Sequence, residues 1–218
     1  LTIFGYGSLL SLWSCQRTCP SACNHRLGIL PGWQRVFSLV SMGQIRRGKV
    51  DRVLLQLAAV AVAPSFVEGA PTATIGALFE ISVADFKALC KREQRYKIVQ
   101  LECFACVDGE AVGQPVTAYV VTESTDTAYT NKCVALDAAE GLEAGCTYQQ
   151  NVGQYYDGEL WSRKDIFPSS PYLWFCIEAA KCIGGSQAHK NFLDGSFLAD
   201  RRTSIRTVSE MVCAWVIV

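Results

Sequence analysis

The chain has 218 residues, half of them apolar, and its 20 acidic and 20 basic side chains cancel to zero formal charge. That length fits one large domain around one core better than two cramped ones. Balanced charge argues against nucleic-acid, anionic-membrane and strongly acidic partners, and leaves a neutral or zwitterionic small molecule as the expected ligand. The longest apolar run, 53–63, is broken by Gln56 and falls well short of the roughly 20 residues that cross a bilayer.

In chain order, Thr2-Ile3-Phe4 is a short apolar start that runs into Gly5-Tyr6-Gly7-Ser8. This is the pattern of a strand ending in a tight turn with exposed backbone amides. Further strands are expected over 35–40, 53–62 and 75–81. Ser82 followed by Asp85 resembles a capping box and opens a helix over 84–93. Strands over 98–107 and 115–122 flank Asp108-Gly109, a hairpin signal. The segment 123–162 turns polar and glycine-containing, and reads as an insertion of loops and short strands. Ser169-Ser170-Pro171 opens a second helix over 172–183, which Gly184-Gly185 closes. Apolar residues wrap nearly all round it, so it is expected to be central and buried. The polar stretches 191–195 and 200–203 have no assigned chemistry and either cover the site or bound the fold.

On the first helix, Phe86, Leu89 and Cys90 stand at i, i+3 and i+4, and position i+7 is Glu93. Lys87, Lys91, Arg92, Gln94 and Arg95 fall mostly on the other faces, where charges on a solvated helix go. Glu93 therefore continues a buried stripe as a carboxylate. Burial disfavours its ionised form and raises its pKa toward the range useful for proton transfer near neutrality. The structural alternatives are an ion pair with Arg35, Arg46 or Arg52, or a helix that frays before reaching Glu93.

Eleven cysteines are an odd count, and Cys90, Cys176, Cys182 and Cys213 sit in apolar segments. That suits reduced, buried thiols of a cytoplasmic protein better than a secreted disulfide framework. The sequence starts at Leu1 in what reads as structure, so any targeting segment is expected outside it and an organellar location stays open. Cys15, Cys19 and Cys23 with His25 make a Cys₃His site conceivable, but Pro20 interrupts any helix presenting all three thiols, and no metal is expected. Cys103 and Cys106, on one strand, would point to opposite faces. Ser8 invites a nucleophile reading. His25 and His189 are the only conventional bases, however, and Gly-Tyr-Gly-Ser-Leu is not a Gly-x-Ser-x-Gly elbow.

Phe4-Gly5-Tyr6-Gly7-Ser8-Leu9 resembles the signature of the γ-glutamylcyclotransferase superfamily, which includes the ChaC-type glutathione-degrading enzymes and the γ-glutamylamine cyclotransferases. Arg92-Glu93-Gln94-Arg95-Tyr96 resembles the segment that carries the family's catalytic glutamate. Pro168-Ser169-Ser170-Pro171-Tyr172-Leu173 resembles the Pro-Ser-x-x-Tyr-Leu segment that opens a helix in the family. A glycine motif alone occurs in many loops; three motifs in the family's order are much more specific. Together they span most of the chain, the stretch 107–167 excepted.

The resemblance implies an α+β fold, a small mixed β-barrel flanked by helices, in a single domain 1–218 with an insertion around 123–162. It implies a reaction in which the substrate's α-amine attacks its own γ-carbonyl, giving 5-oxoproline and releasing the attached amine or peptide, without a cofactor. Glu93 would be the acid/base. Tyr6, Gly7, Ser8, Leu9 and Leu10 would hold the substrate through the N–H groups of their turn, and Tyr172 would add a phenolic hydrogen bond. Leu9, where some branches carry Asn, leans toward the ChaC-type enzymes. The rival reading is a non-catalytic binding module on the same fold, which has less use for a costly buried carboxylate.

Overall fold

In the computed structural model of the protein the backbone is described for residues 1–216 and side-chain surroundings for 1–210, so the expectation for Cys213 lies outside the described residues. The chain opens with β1 (Thr2–Gly5), a 3₁₀ turn at Ser8–Leu10 and the short helix α1 (Leu12–Gln16). The strands β2 (Cys23–Pro31) and β3 (Trp33–Val40) follow, then α2 (Met42–Arg46), β4 (Ala58–Pro64) and β5 (Ala73–Glu80). Next come α3 (Val83–Arg92), β6 (Lys97–Val107) and β7 (Glu110–Thr122). The helices α4 (Asp126–Glu140), α5 (Cys146–Tyr148) and α6 (Ser170–Asp194), the strand β8 (Ser196–Leu198) and the helix α7 (Ile205–Val216) complete it.

Five strands close a mixed barrel in the order β1-β5-β2-β6-β7, sealed where β7 runs parallel to β1 through the pairs Ile3↔Tyr119 and Phe4↔Val120. The fold is therefore the expected α+β barrel flanked by helices. Two of the expected strands, β3 and β4, instead form a separate three-stranded sheet with β8. Alternation along β1 decides which core each residue enters. Phe4 packs into the large cluster shared by the barrel, the second sheet and α6, while Ile3 points to the smaller cluster under α1 and α3. Each such fully buried side chain contributes roughly 1.5–3 kcal/mol. Asp108 and Gly109 both take positive φ, 52° and 88°, as a two-residue hairpin requires.

Several expectations are corrected. The apolar run 53–62 is only half strand: Val53 is 91% exposed on a turn that Asp51 closes by accepting hydrogen bonds from the amides of Leu54 and Gln56, and β4 begins at Ala58. Segment 23–31, weighed only for Cys23 and His25, is the barrel strand β2. The insertion 123–162 is helical where loops and short strands were expected. Thr125 caps α4 by accepting from the Ala128 amide, and Gly141, at φ 69°, ends it. The buried Asp137 then accepts from the amides of Gly145 and Thr147, capping α5.

The second helix breaks at Gly184-Gly185 as expected, Gly185 taking φ 57°, but resumes its course to Asp194. It is not buried all round, since Trp174 is 65% exposed and Cys182 is also exposed. The stretch 191–195 therefore belongs to the end of α6. Asn191 ties that end to β5 by donating to the Ala73 carbonyl and accepting from the Ile75 amide. Asp200 closes its own loop, accepting from the amides of Arg202 and Thr203.

Candidate active site

The glycine turn leaves the end of β1 and is fixed from behind by Arg35. This side chain is fully buried, and among the described residues it meets no carboxylate. It donates instead to the Tyr6 carbonyl at 2.8 Å, to Asn191 Oδ1 at 3.1 Å and to the Ile75 carbonyl, and lies 4.8 Å from the centre of the Phe192 ring. Burial pushes its pKa down to about 9. One cation thus joins β3, β5, α6 and the turn. The Tyr6 hydroxyl is likewise committed to the protein, donating to the Val121 carbonyl.

Glu93 stands one residue past α3, where the expected helix would have included it. Its amide makes the last helical bond, to the Leu89 carbonyl at 2.8 Å, and its own backbone leaves the helix at φ −97°, ψ 27°. The stripe of Phe86, Leu89 and Cys90 still aims the chain inward, and the Glu93 side chain is 15% exposed. Its partner is none of the three expected arginines. Arg92 Nε lies 2.9 Å from Glu93 Oε1, while the same guanidinium donates to Ser8 Oγ at 3.1 Å and Thr18 Oγ1 at 2.8 Å. Burial raises the Glu93 pKa, and the charges of Arg92 and Arg95 hold it partly down.

Tyr172 comes from the first turn of α6. Ser169 sits at its N-cap and donates through Oγ to Gln44 Oε1 at 2.9 Å, and the Ala58 amide donates to the Phe167 carbonyl, so the helix start is pinned beside β4 and α2. A Cβ on Gly7 would stand 3.1 Å from the Tyr172 hydroxyl and 2.5 Å from Val60 Cγ1. Glycine alone lets the turn approach this closely. Burial raises the Tyr172 pKa well above its ordinary value, with the Cys176 thiol one turn along α6 adding to it.

These groups face one cavity of about 680 Å³, inside the range typical of small-molecule sites. Glu93, Tyr6, Gly7, Ser8, Leu9 and Tyr172 all line it. Leu10 does not: its side chain is buried in the main core, and its amide donates to the Gly7 carbonyl at 3.0 Å. Among the described residues no protein acceptor takes the Ser8 and Leu9 amides. Arg92, Arg95 and Tyr96 were missed as site residues, the arginines having been assigned to solvated faces; all three line the cavity. A helix ending at Arg92, with the chain turning back through Tyr96 to β6, carries them inward. Tyr96 donates to the Val60 carbonyl at 3.0 Å.

The remaining sequence candidates lie elsewhere. His25 Nε2 is 3.4 Å from the Leu9 carbonyl, and Ser8 Oγ accepts from Arg92, so the two do not form a nucleophile and base pair. The thiols of Cys15, Cys19 and Cys23 face three different carbonyls, those of Leu9, Asp85 and Glu80. Cys103 and Cys106 enter different core clusters.

No protein-family model and no curated protein matches the sequence at the required significance. Solved structures do. A structure described as a gamma-glutamyl cyclotransferase superposes over 88% of this chain and 85% of its own, with a TM-score of 0.51 at 13% identity. The chain has the γ-glutamyl cyclotransferase fold. Two other structures at 13% identity are similar to it. One is an uncharacterized protein from Homo sapiens, at TM-score 0.49 over 87% of this chain and 85% of that one. The other is described as a γ-glutamyl cyclotransferase specific to glutathione from yeast, at 0.47 over 82% and 86%. On the γ-glutamyl cyclotransferase fold of this chain, the cavity lies where the glycine turn, the end of α3 and the start of α6 meet.

Proposed function

We propose that the protein is a γ-glutamylcyclotransferase, closing the γ-glutamyl group of a peptide or amine into 5-oxoproline. The observation that carries this reading is Glu93. It is the one carboxylate among the described residues lining the cavity, it is largely buried, and its proton affinity is raised by that burial. The three motifs that resemble the superfamily converge on the same cavity, and the shared fold is consistent with them.

The reaction needs no water and no protein nucleophile. The substrate's α-nitrogen forms a bond to its own γ-carbonyl carbon, and the bond from that carbon to the leaving nitrogen breaks. Two protons pass from the first nitrogen to the second, as an ammonium becomes a lactam N–H and an amide N–H becomes an ammonium. A single group with matched pKa serves these transfers: Glu93, ionised, takes a proton from the α-nitrogen as it attacks in its amine form and returns it to the departing nitrogen. The proton lost earlier from the α-ammonium is matched by one that the released amine takes from solvent. The Ser8 and Leu9 amides suit the oxygen on which charge develops, and the Tyr172 hydroxyl faces the same turn. Arg92, bonded to both Ser8 and Glu93, keeps base and turn in register.

The test is to incubate the protein with glutathione, γ-glutamyl amino acids and γ-glutamylamines and to measure 5-oxoproline by mass spectrometry, for wild type and Glu93→Gln. The reading predicts product from wild type and its loss in a folded Glu93→Gln protein. No product from any substrate, with wild type folded, would overturn it in favour of a non-catalytic binding module.

A further inference from the structure

The chain is neutral as a whole, yet the cavity is not. Among the described residues lining it, Arg17, Arg47, Lys49, Arg92 and Arg95 are cationic and only Glu93 is anionic. These cations divide by what already engages them. Arg92 is spent on Glu93, Ser8 and Thr18. Arg95 lies near enough to Glu93 for its charge to lower that pKa, and its Nε is buried without a hydrogen-bond partner. Arg17, Arg47 and Lys49 are exposed at the mouth, and among the described residues no protein acceptor takes a hydrogen bond from their side chains.

Arg46 provides the contrast. It turns away from the cavity, donating to Asn151 and lying 4.9 Å from the centre of the Tyr155 ring. Its neighbour Arg47 folds back over α2 instead, so that a Cβ on Gly43, itself a lining residue, would stand 3.5 Å from Arg47 Nη2. Arg17 is held 5.1 Å from the centre of the Trp13 ring. The mouth thus presents three cations without protein counter-charge.

A γ-glutamyl group accounts for only part of this. Its α-ammonium is the partner of Glu93, and its single α-carboxylate can be met by the unpartnered donor of Arg95. The outer cations require a second anion, and the part of the substrate that reaches outward is the leaving group. Resting on the cyclotransferase reading, we infer that the site selects γ-glutamyl peptides whose leaving group keeps a free carboxylate, and discriminates against γ-glutamylamines. Arg47 and Lys49, with Arg17, form the subsite for that carboxylate. Guanidinium and ammonium donors to a carboxylate make strong charge-assisted bonds, and at an exposed mouth their attraction weakens with salt.

The experiment compares glutathione with its C-terminal glycinamide, two ligands that differ by one charge. Turnover and calorimetric binding are measured for wild type and for the double variant Arg47→Gln/Lys49→Gln. Wild type is expected to favour the acid about tenfold, mostly through KM, in keeping with one charge-assisted contact. The double variant removes most of that preference, and raising the salt from about 50 to about 500 mM shrinks it in wild type. Equal binding of acid and amide by wild type, or equal losses for both in the variant, overturns the inference even if 5-oxoproline forms. Preferential binding of the acid with no turnover of either ligand refutes cyclisation but leaves the carboxylate subsite standing.

Discussion

The floor and the mouth of the cavity are built from the same kinds of residue and differ in what already holds them. On the floor, Arg92, Tyr6 and Tyr96, backed by Arg35 behind the turn, are bonded to protein groups at fixed positions. At the mouth, Arg17, Arg47 and Lys49 have solvent on one side and no protein acceptor among the described residues. Preorganised dipoles and donors lower barriers because they need not reorient when charge develops. Free cations on long side chains can bind a passing carboxylate, but they are poorly suited to positioning a reacting atom. The floor is therefore assigned to chemistry and the mouth to selection.

The largest effect expected from breaking the floor is that of Glu93→Gln, which keeps the shape and removes the proton shuttle. Activity should fall about 10²–10⁴-fold, measured as kcat for 5-oxoproline formation. Next is Gly7→Ala. The new methyl would press on Val60 and on the Tyr172 hydroxyl, so a loss of about a hundredfold in kcat/KM is expected, with roughly 1–3 kcal/mol of stability. Unchanged kinetics in that variant would show that the close approach of turn and helix is incidental. At the mouth, the tenfold preference for an acidic leaving group ranks below both.

The smallest effect concerns stability. Burial raises the Glu93 pKa above its unfolded value, so the folded protein holds that proton more tightly than the unfolded chain does. The stabilisation is complete below the ordinary carboxylate range and is lost as pH rises through the folded value. Glu93→Gln abolishes this titration. Its Tm relative to wild type should therefore rise on going from about pH 4 to about pH 8; a Tm difference that falls over that range contradicts a raised pKa.

The sequence disclosed the cavity's floor better than its walls, for reasons that lie in particular residues. Glycines 5 and 7, the Ser82 cap, the Asp108-Gly109 turn and Pro171 are local signals, and each element they mark is present. Glu93 was readable as a carboxylate interrupting an apolar stripe, although the helix stops one residue short of it. Arg95 was misplaced because helical periodicity was carried past that stop, and Arg92, the last residue of the helix, because its long side chain reaches across to Ser8 and Thr18. Helix α4 was lost in a polar composition, yet Thr125 as N-cap and Gly141 as C-terminal glycine were both legible. Arg35 could not have been found this way. Its partners are a backbone carbonyl 29 residues earlier in the chain, another 40 residues later and an asparagine 156 residues later, contacts that only the closed fold brings together.

The most direct test of the account is the pH dependence of kcat/KM for 5-oxoproline formation in wild type and Arg92→Gln. If Glu93 transfers the proton, the acid limb of the wild-type profile lies above the ordinary glutamate value of about 4.3. Removing the Arg92 charge, which now holds that pKa down, moves the limb to higher pH. A limb at the ordinary carboxylate value, or one that Arg92→Gln leaves in place, would contradict the assignment of Glu93 as the group that carries the proton.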